Sequence, residues 1–300
     1  MDKLIETVNK KLDEYMELTY PHKIFKSMKY TVMLPGKRLR PIMCLEACKI
    51  SGGNIEDALP TACAIEMLHS QTLIHDDLPC MDNDDYRRGQ LTNHKVFGEA
   101  MAVLAGDALL TFAPQIILKN SKQLGAGKLI KIMEEYFQAA GAYGVIAGQV
   151  ADIESEKVYS AYQAFDAEEE FTDEDAELLH FIHLHKTSDL FKLALRTGAI
   201  IGGADEKMIN ALTLFGEKMG IAFQIADDIL DEVSTFEEMG KTLGKDKAAG
   251  KLTYVTLYGL KKSKTDLSEL VKECFKILKE NNIQSDIFET ILNKIKKAAV

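Results

Sequence analysis

Apolar residues recur along this chain at helical spacing almost without interruption. Leu4, Ile5, Val8, Leu12 and Met16 share one face and predict a first amphipathic helix. The same period runs through residues 45–50, 59–74 and 96–118. The last of these is almost wholly apolar and is expected as one core helix. Strand-like alternation with Asn-Gly or Asp-Gly turns is absent. Breaks are expected at "LPGK" (34–37), "SGGN" (51–54), "DLPC" (77–80), "QLGAGK" (123–128) and the acidic "AFDAEEEFTDEDAE" (164–177). Within the last, Thr172 and Asp175 have the spacing of a helix-start capping box. No linker and no repeat divides the pattern, so one all-α domain over residues 1–300 is expected.

Composition narrows this picture. With 46% apolar and 27% charged residues the chain is an ordinary globular one. A net charge of −10 argues against a general nucleic-acid binder. Lys and Arg nevertheless cluster in "GKRLR", "YRRG" and "GKTLGKDKAAGK", which suits a small anionic ligand. Five cysteines form no C-x-x-C pair, and Cys44 and Cys48 fall inside an apolar run as buried thiols. A reducing cytoplasm is the expected location, because the charged start has no signal-peptide core. No stretch is expected to reach the roughly 18 apolar residues of a membrane span.

The chemistry concentrates in two aspartate clusters. In "LIHDDLPCMDNDDYRRG", Pro79 disfavours helical geometry at Leu78, so the helix should stop there. Asp76 and Asp77 then lie at the negative end of a helix dipole, where carboxylates are costly unless a cation neutralises them. In "AFQIADDILDE", Gln224, Asp227, Asp228 and Asp231 sit at i, i+3, i+4 and i+7, one polar stripe in apolar surroundings. A hard divalent cation such as Mg²⁺, bound by carboxylates and phosphate oxygens, answers both clusters. Lys37, Arg38 and Arg40 at a loop-to-helix junction, the arginines of "YRRG" and the Gly/Lys-rich segment after the second cluster add cations for the phosphates. Apolar helices would enclose the organic part.

Other chemistries fail on spacing. An EF-hand read from Asp82 meets Tyr86 and Arg87 where a ligand and a glycine are needed. A Walker loop ending at residues 240–242 meets Thr235 where glycine is needed. His180, His183 and His185 read as surface histidines of a helix.

Seven ordered segments carry a family resemblance: "GKRLRP", "EMLHSQTLIHDDLPCMDNDDYRRG", "LTNHKVFGEAMAVLAGDALL", "GQVAD", "HKTSDL", "FQIADDILD" and "GKTLGKDKAAGKLTY". Over nearly its whole length the chain resembles the trans-prenyl diphosphate synthases, the family of the farnesyl and geranylgeranyl diphosphate synthases. The resemblance implies antiparallel helices around a deep apolar cavity, a homodimer, and two aspartate motifs facing each other with three Mg²⁺, for which Mn²⁺ could stand in. Asp76, Asp82 and Asp227, with Asp231 as a weaker ligand, would hold the metals, supported by Asp77 and Asp228. Arg87, Lys186, Lys241 and Lys251 would grip the allylic diphosphate. Lys37, Arg40, His69 and Arg88 would hold isopentenyl diphosphate. Thr187 and Gln224, with Lys186, would face the allylic cation. The family usually has Gly-Gly-Lys where this chain has Pro35-Gly36-Lys37.

The implied reaction joins isopentenyl diphosphate head-to-tail to dimethylallyl or geranyl diphosphate by ionisation, condensation and elimination. No protein base is required, since the released diphosphate can take the proton. Leu68, Gln71 and Thr72, before the first aspartate pair, would form the cavity floor and set product length. Farnesyl diphosphate is the first expectation, with geranylgeranyl diphosphate as the alternative. A terpene cyclase on the same fold is disfavoured by the intact "ADDILD" and "GKRLR". A non-catalytic subunit is disfavoured because both aspartate motifs are present.

Overall fold

The computed structural model describes residues 1–164, 171–233 and 251–299, and the periodicity becomes helix nearly throughout. In chain order these are α1 (Asp2–Tyr15), α2 (His22–Val32), α3 (Leu39–Ile50), α4 (Ile55–Asp76), a hairpin of β1 (Tyr86–Arg87) and β2 (Gln90–Leu91), α5 (Asn93–Phe97) and α6 (Glu99–Asn120). There follow α7 (Ala126–Ala140), α8 (Val145–Ala164), α9 (Asp173–Ile182), a π-helical turn (His183–Ser188), α10 (Asp189–Gly202) and α11 (Glu206–Val233). The last are α12 (Tyr254–Tyr258), α13 (Leu260–Glu280) and α14 (Asp286–Lys296). The chain forms two compact units, Met1–Phe137 with Leu193–Ile209 and Gln138–Lys192 with Asn210–Val300.

In the first unit α4 packs against both α3 and α6. It is buried on most of its surface, which is why its apolar residues do not follow a single stripe. Ile65, Met67 and Leu68 of α4 meet a core that includes Ile42, Met43 and Leu45 of α3 and Leu109 and Ile117 of α6. Each such side chain contributes about 1.5–3 kcal/mol on burial. Asn54 caps the start of α4 by accepting from the Glu56 amide at 3.1 Å.

Three sequence expectations change here. Residues 96–118 are not one helix: α5 ends at Phe97, and Gly98, at φ 89°, separates it from α6. α6 is also long and apolar enough to cross a membrane, with a mean hydropathy of 1.7 over its best window, although none was expected to be. In this structure Ala102, Ala105, Leu109, Ala113, Ile116 and Ile117 are buried. The third change is the hairpin. Its two central residues, Arg88 and Gly89, have φ of 54° and 74°, as a type I′ turn requires.

In the second unit Leu179 and Ile182 of α9 and Leu190 and Phe191 at the start of α10 are buried, as are Phe215, Met219, Ile225 and Ile229 of α11. Phe215 meets Phe288 of α14 with ring centroids 5.1 Å apart. The capping box at Thr172 and Asp175 is present, each side chain bonded to the other's backbone amide. Cys44, Cys48, Cys63 and Cys274 are buried and Cys80 is exposed. Burial pushes the Cys44 thiol up to about 12 and Cys48 up to about 11, so both are inert packing groups.

Candidate active site

α4 ends where Pro79 requires. Asp76 is its last residue, and the Asp77 amide closes the final turn on the Leu73 carbonyl at 3.1 Å. The loop beyond coils back, with the Asp82 amide donating to the Asp76 carbonyl at 2.9 Å. The first and third aspartates of the motif are therefore neighbours through the backbone, although six residues apart. Asp77 is different. It is buried and accepts from Arg87 through Nε at 2.9 Å and Nη2 at 2.5 Å, while Asp84 takes Arg87 Nη2 at 3.1 Å. Burial pushes the Asp77 carboxyl up, to about 7, while Arg87 pulls the other way. Arg87, expected to grip an allylic diphosphate, is thus bonded to the carboxylates of its own motif here.

Lys37 is exposed, and Arg40, His69 and Arg88 are half-buried. His69 Nε2 lies 3.5 Å from Arg88 Nη2, so two of the four residues expected at an isopentenyl diphosphate site do meet. Burial and the field of Arg40, Arg88, Arg87 and Arg38 hold His69 well below the usual histidine range, so it is neutral. Burial likewise holds Arg40 down to about 10, against the pull of Glu66. Arg38 departs from the sequence reading. It is 3% exposed, and its guanidinium bonds to protein groups rather than standing free for a ligand.

At the expected cavity floor, Leu68 is fully buried and Gln71 and Thr72 are half-buried. Thr72 donates to the His69 carbonyl at 2.8 Å. The Gln71 amide finds its partner in His75, with Nε2 3.1 Å from His75 Nδ1. His75 Nε2 lies 3.1 Å from the Val103 carbonyl, which can only accept. His75 therefore carries its proton on Nε2, and Nδ1 accepts from Gln71.

The second unit brings together most of the remaining expected residues. Lys186 and Thr187 lie on the π turn, an insertion that re-aims side chains between α9 and α10. Two glycines let the neighbouring backbones approach it. A Cβ on Gly148 of α8 would lie 2.2 Å from the Lys186 amide, and one on Gly220 of α11 would lie 2.4 Å from Ser188 Oγ. Thr187 Oγ1 donates to Gln224 Oε1 at 2.8 Å, and Gln224 Nε2 donates to Asp228 Oδ1 at 2.9 Å. The donor order follows from Asp228, which as a carboxylate only accepts; Gln224 must turn its NH₂ to Asp228 and its oxygen to Thr187. The Thr187 proton is then used, and its hydroxyl lone pairs point elsewhere. Lys186 Nζ pairs with buried Asp152 at 2.5 Å. Burial alone would push Asp152 up, but Lys186, Lys251 and His183 hold it below the usual carboxylate range.

Asp228 Oδ2 also accepts from the Tyr254 amide at 2.8 Å and lies 3.5 Å from His183 Nε2. His183 is 4% exposed and stacks on Tyr254 with centroids 6.2 Å apart. This corrects its reading as a surface histidine. His180 is exposed, and His185 pairs with Asp189 at 2.8 Å. Asp227 and Asp231 lie half-buried on the same stripe of α11. Lys241 lies outside the described residues. Asp152, His183, Tyr254 and Glu66 were missed as contributors. The buried spacing of Leu179, Ile182 and His183 could have exposed the histidine; Glu66, Asp152 and Tyr254 lie inside segments that carry the family resemblance, but nothing local assigns them a role.

Among the described residues, no three His, Cys, Asp or Glu side chains converge enough to hold a metal unaided. The donor set still fits a Mg²⁺ site of the kind that uses one or two carboxylates and takes its other oxygens from phosphate and water, because Asp76 and Asp82 are held as neighbours.

Comparison with known proteins agrees with this geometry. Residues 21–295 match the polyprenyl synthetase family model. The chain is 46% identical over 273 residues to a dimethylallyltranstransferase of Fischerella ambigua, covering 91% of this chain and 75% of that protein. It is 44% identical over 274 residues to a chloroplastic geranylgeranyl pyrophosphate synthase of Catharanthus roseus, covering 91% and 73%. A Helicobacter pylori geranyltransferase, solved with magnesium and isoprenyl diphosphate, superposes with a TM-score of 0.82 at 30% identity over 98% of this chain and 94% of that one. The chain belongs to the polyprenyl synthetase family, the trans-prenyl diphosphate synthases.

Proposed function

We propose that this protein is a Mg²⁺-dependent prenyltransferase that extends allylic diphosphates with isopentenyl diphosphate to the twenty-carbon geranylgeranyl diphosphate. The observation that carries the activity is the Thr187–Gln224–Asp228 chain beside Lys186. With its proton committed to Gln224, Thr187 offers lone pairs to a developing allylic cation, and the Gln224 dipole is locked by Asp228. Lys186, Lys251 and Arg87 would orient the allylic diphosphate. Asp76, Asp82, Asp227 and Asp231 would hold Mg²⁺, which when bound neutralises charge on the leaving diphosphate. Lys37, Arg40, His69 and Arg88 would fix isopentenyl diphosphate, whose alkene attacks and whose lost proton goes to the released diphosphate. Support for Mg²⁺ comes from the H. pylori relative.

The twenty-carbon product is preferred over farnesyl diphosphate for two reasons. By the family resemblance, short-chain farnesyl synthases often carry an aromatic where this chain has the smaller Gln71, and several curated relatives at 41–46% identity are named geranylgeranyl diphosphate synthases. A second copy of the chain would cover exposed Val103, Leu104, Leu118, Ile130 and Phe137 of α6 and α7, and the free thiols suit a reducing cytoplasm. The product test is chromatography of dephosphorylated products from wild type and Gln71→Phe. Twenty-carbon product shortened by the variant supports the assignment. Fifteen-carbon product from wild type overturns it.

A further inference from the structure

In the first unit one buried carboxylate, Glu66, lies against two arginines from separate segments, Arg38 and Arg88. Arg38 precedes α3 with φ 48°, a left-handed conformation that arginine rarely adopts. Four bonds over-determine it: Nε to Asn9 Oδ1 at 2.8 Å, Nη1 to Glu66 Oε1 at 2.6 Å, and Nη2 to the Val32 and Leu34 carbonyls at 2.9 and 3.0 Å. The turn so fixed leaves the preceding Lys37 exposed and starts α3, whose first turn carries Arg40. Glu66, on α4, is 1% exposed. Its same oxygen lies 3.8 Å from Arg88 Nη2, which comes from the hairpin turn. Arg88 also reaches His69, one turn further along α4. Arg88 Nη1 is buried and, among the described residues, has no hydrogen-bond partner. A buried guanidinium N–H left without an acceptor is costly, and an incoming anion would satisfy it. Gly36 closes the cluster from the other side, where an added Cβ would stand 2.7 Å from Arg88 Nη1.

We propose that Glu66 is a positioning residue for isopentenyl diphosphate: one buried carboxylate that gathers Arg38 and Arg88 from separate segments and so sets the spacing of Lys37, Arg40, His69 and Arg88. This rests on the assignment of those four residues to that substrate. Charge counting makes the opposite prediction. Removing a negative charge from an anion site should tighten anion binding, whereas losing the organiser should weaken it.

The experiment compares wild type, Glu66→Gln and Gly36→Ala, the last leaving the Arg38–Glu66 pair intact while pushing Arg88 aside. The KM for isopentenyl diphosphate should rise about tenfold in both variants, the scale of one misplaced charge-assisted contact, while the KM for the allylic partner holds. Inorganic diphosphate, titrated calorimetrically without Mg²⁺, should bind correspondingly more weakly to both. An isopentenyl diphosphate KM that is unchanged or lowered in the variants, with wild type active, overturns the role of Glu66, even if their melting temperatures fall. Should wild type fail to use isopentenyl diphosphate at all, the activity reading falls, and the diphosphate titration still decides the inference about Glu66. Should Glu66→Gln fail to fold, Gly36→Ala alone decides it by the same two readouts.

Discussion

The two aspartate motifs solve the same problem by different means. Each has a second aspartate that is buried and bonded inward: Asp77 in the first, Asp228 in the second. Asp77 is matched by charge, through Arg87 at 2.5 Å. Asp228 is matched mainly by hydrogen bonds, from the Gln224 amide and the Tyr254 backbone, beside a buried His183. A charge partner must itself be desolvated and is unforgiving when removed. Hydrogen bonds spread the load over several groups, each worth about 1 kcal/mol. The first arrangement makes one side chain indispensable. The second tolerates loss in parts, and it also ties the backbone just after Lys251 to α11.

The largest expected difference lies between the outer and inner aspartates. Asp76→Ala and Asp227→Ala should each lower turnover by ~10²–10³ or more while circular dichroism and melting stay near wild type, because both are half-buried where Asp77 and Asp228 are buried. Breaking the inner aspartates should separate the motifs by stability. Arg87→Ala leaves Asp77 buried and unpaired, a loss of about 3 kcal/mol in denaturant unfolding. Asp228→Asn keeps one acceptor and should lose about 1 kcal/mol. Equal losses would erase the contrast.

Ligand binding gives the next test. Mg²⁺ with diphosphate, at a hundredfold excess over Kd, should stabilise the protein by about 2.7 kcal/mol in a thermal shift assay. Mg²⁺ alone should do much less, since phosphate oxygens complete its shell. The smallest effect concerns His69. Its folded pKa lies below the unfolded value of 6.5, so its contribution to stability is full above pH 6.5 and lost as pH falls below it. Wild type should therefore lose more melting temperature than His69→Gln between pH 7 and 5.

The same contrast explains what was legible in the sequence. The first motif is local: Asp76, Asp77, Pro79, Asp82 and Arg87 lie within one short segment, and Pro79 fixes where the helix ends. The inner role of Asp228 depends on His183 and Tyr254, which only the folded unit brings near, and on a π turn that helical periodicity does not announce. Arg38 looked like a substrate cation because its neighbours are basic; its true partner, Glu66, belongs to another helix. The hairpin escaped notice because Arg88-Gly89 lacks the asparagine or aspartate that usually marks such a turn. The remaining helices were legible because their apolar period is strong, except where Gly98 interrupts it.

These carboxylates, cations and dipoles are proposed to run metal-assisted prenyl transfer together. The most direct measurement is incorporation of labelled isopentenyl diphosphate into an allylic diphosphate by the wild-type protein, with Mg²⁺ and after chelation. Chain extension should occur with Mg²⁺, stop on chelation and return when Mg²⁺ is restored. No incorporation with any allylic partner, or incorporation indifferent to chelation, would contradict it.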